Sequence, residues 1–207
     1  MNEILINKMQ ELIKMDKIVE AIDLLKINKD KFSEFEYEIL LGDLYCDSDD
    51  FENGILCYEK LIKDYLGYNK YAILLRYSSC LRKMARYGES LSYLDILIND
   101  YPHDSVLYFN KGNVYLSMNN YDGAIKEYMN GYNIDPEDAD MLNNLGLAFM
   151  RKGDRLNALK YLSEGLFMHN DDKQIIENIA ILLEDMGEYE ESERYFKMIR
   201  ELNSERF

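Results

Sequence analysis

SVLYFNKGNVYLSMNNYDGAIKEYMNGYNIDPED, residues 105–138, decides the fold of this chain. Apolar and small residues recur in it at intervals of three and four, as Tyr108, Gly112, Tyr115 and Leu116 and then as Tyr121, Ala124, Ile125 and Tyr128. Each group occupies one face of a helix. Residues 117–120 between the groups are few and polar, which predicts a turn. Pro136 should stop the second helix because proline has no N–H to donate. The stretch is therefore predicted to be a helix–turn–helix hairpin.

Gly112 lies inside the first apolar stripe, although glycine costs about 1 kcal/mol of helix propensity relative to alanine. We expect close packing of the two helices to compensate, with large tyrosine rings filling the space beside the small residue. A single hairpin leaves its second apolar face uncovered, so it needs neighbouring copies to be stable.

Those copies are present at a period of 34 residues. The two prolines of the chain, Pro102 and Pro136, are one period apart. Asp104, Asp138 and Asp172 share the same period, each placed to cap the free N–H groups of a following helix. Six repeats tile a single predicted domain, 1–207, with approximate bounds 1–34, 35–70, 71–104, 105–138, 139–172 and 173–207. The first two fit the pattern least well.

Composition excludes several classes of partner. The chain has 207 residues, 47% of them hydrophobic, and a net charge of −15, which disfavours nucleic acid and anionic membranes. The N-terminal stretch lacks the cationic start and apolar core of a signal peptide, and no apolar run approaches the length of a membrane span. Cys46, Cys57 and Cys80 have no CxxC spacing. We expect buried or free thiols in a reducing cytoplasm.

Residues typical of catalysis are scarce. His103 and His169 lie between repeats with no partner at metal-ligand spacing. The acidic run 47–50 lacks the glycine and glutamate of a calcium loop, so Asp50 is expected to cap the next helix instead. No phosphate-binding loop or Ser/His/Asp arrangement appears. The sequence predicts a protein that is not an enzyme and uses no cofactor or metal.

The repeated pattern of Gly112, Tyr115, Tyr121, Ala124, Tyr128 and Pro136 resembles the tetratricopeptide repeat (TPR) family. The resemblance covers essentially the whole chain. The family's usual tryptophan is replaced in every repeat, least typically by Glu38. The resemblance implies an all-α, right-handed superhelical solenoid of antiparallel helix pairs. It also implies a concave groove, lined chiefly by the first helix of each pair, that receives a peptide or a partner helix.

In the family's geometry the sixth residue of each repeat faces the groove. Asn110, Asn144 and Asn178 hold that position in three successive repeats, flanked by Asn113 and Asn143. A carboxamide both donates and accepts hydrogen bonds, so such a row can hold an extended peptide by its backbone. Alternatively, these asparagines are solvated or bond between neighbouring helices. Three net hydrogen bonds contribute only roughly 1.5–4.5 kcal/mol. Binding would therefore also need apolar anchors, for which the candidates are Phe109, Leu116, Leu147 and Ile181.

Cations form a second group of groove candidates. Arg76, Arg82 and Lys83 share the first helix of the third repeat, and Arg151 lies two repeats later. In so acidic a chain they could select an acidic ligand segment, or they could be ordinary surface charges. The terminal-carboxylate clamp known in the family is not expected, because uncharged residues stand where its cations should be.

Two functions remain open. The first is a cytoplasmic adaptor or scaffold, monomeric or weakly homo-oligomeric, that binds a segment of another protein in its groove. The alternative is a structural protein that assembles with itself through exposed repeat ends or by helix swapping.

Overall fold

Residues 2–204 are described in the computed structural model, and within them twelve α-helices form and no strand does. The helices are α1 (Asn2–Lys14), α2 (Ile18–Ile27), α3 (Glu34–Asp47), α4 (Phe51–Tyr65), α5 (Lys70–Lys83), α6 (Tyr87–Asp100), α7 (Ser105–Ser117), α8 (Tyr121–Tyr132), α9 (Ala139–Lys152), α10 (Arg155–Met168), α11 (Lys173–Met186) and α12 (Tyr189–Ser204). Most pairs are joined by a turn of three residues, so their helices pack antiparallel. The predicted all-α fold of helix pairs is confirmed.

Aspartates cap the N-termini of several helices, at the positions predicted from the sequence. Asp104, Asp138 and Asp172 each accept a hydrogen bond from a backbone N–H in the first turn of α7, α9 and α11. Asp50 does the same for α4, as expected from its position after the acidic run. These bonds satisfy backbone donors that have no partner inside the helix. The second helix of the hairpin, α8, ends at Tyr132, short of Pro136.

Glycine allows the two helices of a pair to approach closely. A Cβ built on Gly112 would lie 2.4 Å from a ring carbon of Tyr128, which is fully buried. At the equivalent place in the next pair, a Cβ on Gly146 would lie 2.5 Å from the Leu162 side chain. Real carbon atoms do not approach this closely, so any larger residue would force the helices or the facing side chain to move. The predicted pairing of a small residue with a large ring is confirmed.

The chain divides into two compact bodies, the first ending at Asp100 and the second beginning at Tyr101. We call them the N-terminal and C-terminal bodies. Each has its own buried cores, centred on residues such as Leu25, Leu61 and Leu81 in the first and Tyr128, Leu145 and Ile179 in the second. This division is coarser than the six repeats, whose exact bounds stay a prediction. None of the helices within residues 2–204 is long and apolar enough to cross a membrane.

The cysteines differ from expectation. Cys46 in α3 and Cys80 in α5 form a disulfide bond, so the prediction of free thiols was wrong for these two. They lie 34 residues apart in sequence, one repeat period, which brings them together on consecutive first helices. Spacing rules based on nearby cysteines overlook such a pair. Cys57 is the free cysteine, and burial, together with the nearby Glu38, raises its thiol pKa to about 12.

Candidate functional site

The predicted groove residues of the C-terminal body lie on three first helices. They are Phe109, Asn110, Asn113 and Leu116 on α7, Asn143, Asn144, Leu147 and Arg151 on α9, and Asn178 and Ile181 on α11. Helix α9 contacts both of the others. We call the surface formed by the outward residues of these three helices the first-helix face.

Asparagines join the three helices to one another. Asn144 Nδ2 donates to Asn113 Oδ1 at 2.9 Å, which links α9 to α7. Asn178 Nδ2 donates to Asn143 Oδ1 at 2.7 Å, which links α11 to α9. Asn110 instead donates to the carbonyl of Val106 in its own helix at 2.8 Å. Bonding between neighbouring helices, one of the two alternatives to a ligand ladder, therefore holds for four of the five asparagines.

After these bonds are made, two of the asparagine side chains still have hydrogen-bonding groups available to a ligand. A carboxamide has two N–H groups and an oxygen with two lone pairs. Asn144 and Asn178 each spend one N–H on the neighbouring helix and are partly exposed. Among the described residues, nothing else bonds to their side chains, so an oxygen and an N–H remain on each. Asn143 is buried, which corrects its assignment as a groove residue.

A depression of about 350 Å³, lined by apolar and polar side chains, lies between α9 and α11. Its lining residues are Leu147, Met150, Arg151, Asn178, Ile181, Leu182 and Asp185. Ile181 is 44% exposed, whereas the other isoleucines of α11 are fully buried. Leu147 and Ile181 were predicted as anchors and lie here together. Met150 was missed, although it follows Leu147 by three residues, the spacing of one helix face.

The other two predicted anchors serve the core instead. Phe109 and Leu116 are half-buried and pack against the cluster around Tyr128, with the Phe109 and Tyr128 ring centroids 6.0 Å apart. Their assignment as ligand anchors does not fit this packing.

Some of the charged side chains around the depression form ion pairs within the described part of the chain, and one does not. Asp185 pairs with Arg155 at 2.5 Å, and this hydrogen bond lowers the pKa of the Asp185 carboxyl. Lys152 pairs with Asp122 at 2.6 Å. Arg151 is exposed, and no acidic side chain within residues 2–204 pairs with it. Among the residues that line the depression, the Arg151 guanidinium is therefore the charged group without an ion-pair partner in residues 2–204.

In the N-terminal body, the cations predicted to select an acidic ligand are differently placed. Arg76 Nε lies 2.8 Å from Asp43 Oδ1, so its charge is already paired. Arg82 also interacts within the chain, whereas Lys83 is exposed. Asp43 lies on the preceding first helix and offsets the charge of one of these cations. Burial, with a contribution from Asp43, raises the pKa of the Asp47 carboxyl.

The two bodies repeat one arrangement, which we call the tyrosine node. In the C-terminal body Tyr128 Oη donates to Asn113 Oδ1 at 2.6 Å, and Asn144 donates to the same oxygen. In the N-terminal body Tyr58 Oη donates to Asp43 Oδ1 at 2.6 Å, and Arg76 contacts the same oxygen. In both, the tyrosine follows its acceptor by 15 residues. The 15-residue spacing joins the two helices of one repeat, and Asn144 and Arg76 extend each node to the next repeat.

Comparisons with known proteins agree with this architecture. The family described as TPR repeat matches residues 112–153. Superkiller protein 3 of Schizosaccharomyces pombe is 35% identical over 75 residues, which is 36% of this chain and 5% of that protein. The chain therefore spans a small part of that relative's length.

Solved structures show the same fold at low identity. A tetratricopeptide repeat protein from Parabacteroides merdae has a TM-score of 0.69 at 16% identity, over 95% of this chain and 78% of its own. A thermophilic TPR protein from Thermus thermophilus has a TM-score of 0.68 at 16% identity, over 81% and 91%. The crystal structure of MamA has a TM-score of 0.66 at 18% identity, over 80% and 96%.

The 34-residue pattern, the family match and the fold of twelve helices in residues 2–204 lead to one assignment. The chain has the tetratricopeptide repeat fold, and its residues 112–153 match that family.

Proposed function

We propose that the C-terminal body holds a segment of a partner protein on its first-helix face. The tetratricopeptide fold supports a role in protein interaction or scaffolding in general. The observation that carries the finer proposal is the depression between α9 and α11, where Ile181 is exposed beside Leu147 and Met150. The other isoleucines and the leucines of α11 are buried, so Ile181 is the large aliphatic side chain that this helix presents to the depression.

The asparagines support the same proposal in a modified form. Asn144 and Asn178 are held in place by bonds to the neighbouring helix and keep an oxygen and an N–H for a ligand. A carboxamide fixed in this way loses little side-chain entropy when it binds. Two such groups contribute roughly 1–3 kcal/mol of net hydrogen bonding. The apolar side chains of the depression must therefore supply most of the affinity.

The test compares two exposed aliphatic residues, one on a first helix and one on a second helix. Ile181→Ser removes the apolar group of the depression, and Leu156→Ser removes an even more exposed one, 77% exposed on α10. With the full chain as bait in extracts of its source cell, we expect Ile181→Ser to lose partners that Leu156→Ser retains. Identical sets of partners from both variants would contradict the proposal.

Self-assembly, the alternative function, has its own measurement. A constant monomer mass in light scattering of the purified chain across micromolar concentrations would exclude self-assembly as the main role. A mass that rises beyond that of a weak oligomer would favour self-assembly. A cytoplasmic location, a non-enzymatic role and the absence of nucleic-acid partners, cofactors and metals stay predictions from the sequence.

A further inference from the structure

We propose that the depression between α9 and α11 takes an extended segment with an apolar residue and an acidic residue two positions apart. The inference rests on the proposed function for the location of the site and adds the chemistry of the ligand. Three features of the lining carry it: the apolar floor, the uncommitted guanidinium and the remaining amide groups.

The floor accepts one apolar side chain. Leu147, Met150 and Ile181 surround a space of about 350 Å³, and Leu182 beneath them is buried. Filling this space with an aliphatic or aromatic side chain removes apolar surface of both partners from water. A polar side chain would find no hydrogen-bond partner on Leu147, Met150 or Ile181 themselves.

Charge decides what lies beside that side chain. The Asp185 carboxylate is already paired with Arg155, so a basic ligand would have to compete with that guanidinium. Arg151 has no acidic partner within the described chain. A guanidinium presents a fork of N–H donors that matches both oxygens of a carboxylate. The lining therefore favours an acidic group over a basic one.

Spacing fixes the pattern of the ligand. Leu147 and Arg151 are four residues apart on α9, which is about 6 Å along the helix axis. In an extended chain, residues two positions apart point to the same side and lie about 6.6 Å from one another. One residue can thus reach the floor while the second following or preceding residue reaches the guanidinium.

The amide groups favour an extended ligand over a helical one. Asn178 lines the depression and keeps a carboxamide oxygen and an N–H. An extended segment has backbone N–H and C=O groups to pair with them, whereas the backbone of a helix is already satisfied within itself. The occupant is accordingly an extended segment of a partner protein with an apolar and an acidic residue two positions apart, in either order.

Selection from a random peptide library displayed on phage tests this inference with the full chain as target. Relative to the starting library, we expect recovered peptides to be enriched in an apolar residue two positions before or after an Asp or Glu. Synthetic copies should bind about tenfold or more weakly to Arg151→Gln, because a charge-assisted hydrogen bond is lost. Lys152→Gln is the matched control, since it removes the same charge from the neighbouring residue, which is already paired with Asp122.

A carboxylate can come from an acidic side chain or from a chain terminus. Peptides displayed with a free C-terminus and peptides displayed internally separate these sources, and we expect enrichment in the internal format. Enrichment confined to free C-termini would overturn the side-chain pattern.

The outcomes also separate this inference from the proposed function. Peptides whose binding depends on Ile181 but not on Arg151 would overturn the acidic pattern and leave the binding face intact. Peptides whose binding depends on neither residue would overturn both. Selection against Arg151→Glu should shift the enriched residue from acidic to basic, and an unchanged preference for acidic residues would also overturn the inference.

Discussion

Replacing Gly112 by alanine should destabilise the C-terminal body even though alanine is the better helix former. The added Cβ would lie 2.4 Å from Cε1 and 2.5 Å from Cδ1 of Tyr128. That ring is fully buried, and its hydroxyl is held by Asn113, so it has little room to move aside. Overpacking of this kind costs typically about 1–3 kcal/mol, and the gain in helix propensity is about 1 kcal/mol. Because the ring is fixed, we expect a net loss of about 2 kcal/mol.

Gly88 provides the matched control. It lies in α6, and a Cβ built there meets nothing within 4 Å. Gly88→Ala should therefore be neutral or stabilise the protein by about 0.5 kcal/mol, through helix propensity alone. Urea unfolding followed by circular dichroism measures both variants against the wild type. If Gly112→Ala were as stable as Gly88→Ala, the close approach of the helices would be wrong.

Two further predictions concern the N-terminal body. Without reductant, the unfolded chain should titrate one thiol, that of Cys57, because Cys46 and Cys80 are paired. In the native state Cys57 should resist alkylation near neutral pH, since it is buried with a pKa of about 12. Reduction of the disulfide should lower the unfolding free energy by at most about 4 kcal/mol, the loop-closure value for a separation of 34 residues. A count of three thiols before reduction would contradict the pairing of Cys46 with Cys80. At the tyrosine node, Asp43→Ala should cost about 1–3 kcal/mol because it leaves the buried tyrosine hydroxyl unpaired, whereas Arg76→Ala, at a half-exposed ion pair, should cost about 1 kcal/mol or less. Equal costs in urea unfolding would refute this ranking.

Much of the fold could be predicted from the sequence because the same pattern occurs in successive repeats. Residues equivalent to Gly112 and Tyr128 occur at the same positions of other repeats. The packing that stabilises one hairpin can therefore be predicted for the others. The capping aspartates were predictable for the same reason. Asp104, Asp138 and Asp172 stand one period apart, immediately before a helix that needs acceptors for its first N–H groups.

The candidate site was only partly predictable because exposure depends on neighbours from other helices. Leu147 and Ile181 look like Leu116 in the sequence, yet the first two line a depression and the third packs against the core. Arg76 looks available in the sequence, yet Asp43, from the preceding first helix, pairs with it. Pairings of this kind join residues about one repeat apart. The sequence pattern alone does not say which polar residues make such pairings and which remain available to a ligand.

The most direct test of the proposed binding face is hydrogen exchange measured by mass spectrometry on the full chain, with and without a selected peptide. Binding on the first-helix face predicts slower exchange in α9 and α11, at residues 139–152 and 173–186, with little change in α10 and α12. Protection concentrated in α10 and α12, or in none of the helices of the C-terminal body, would contradict the account.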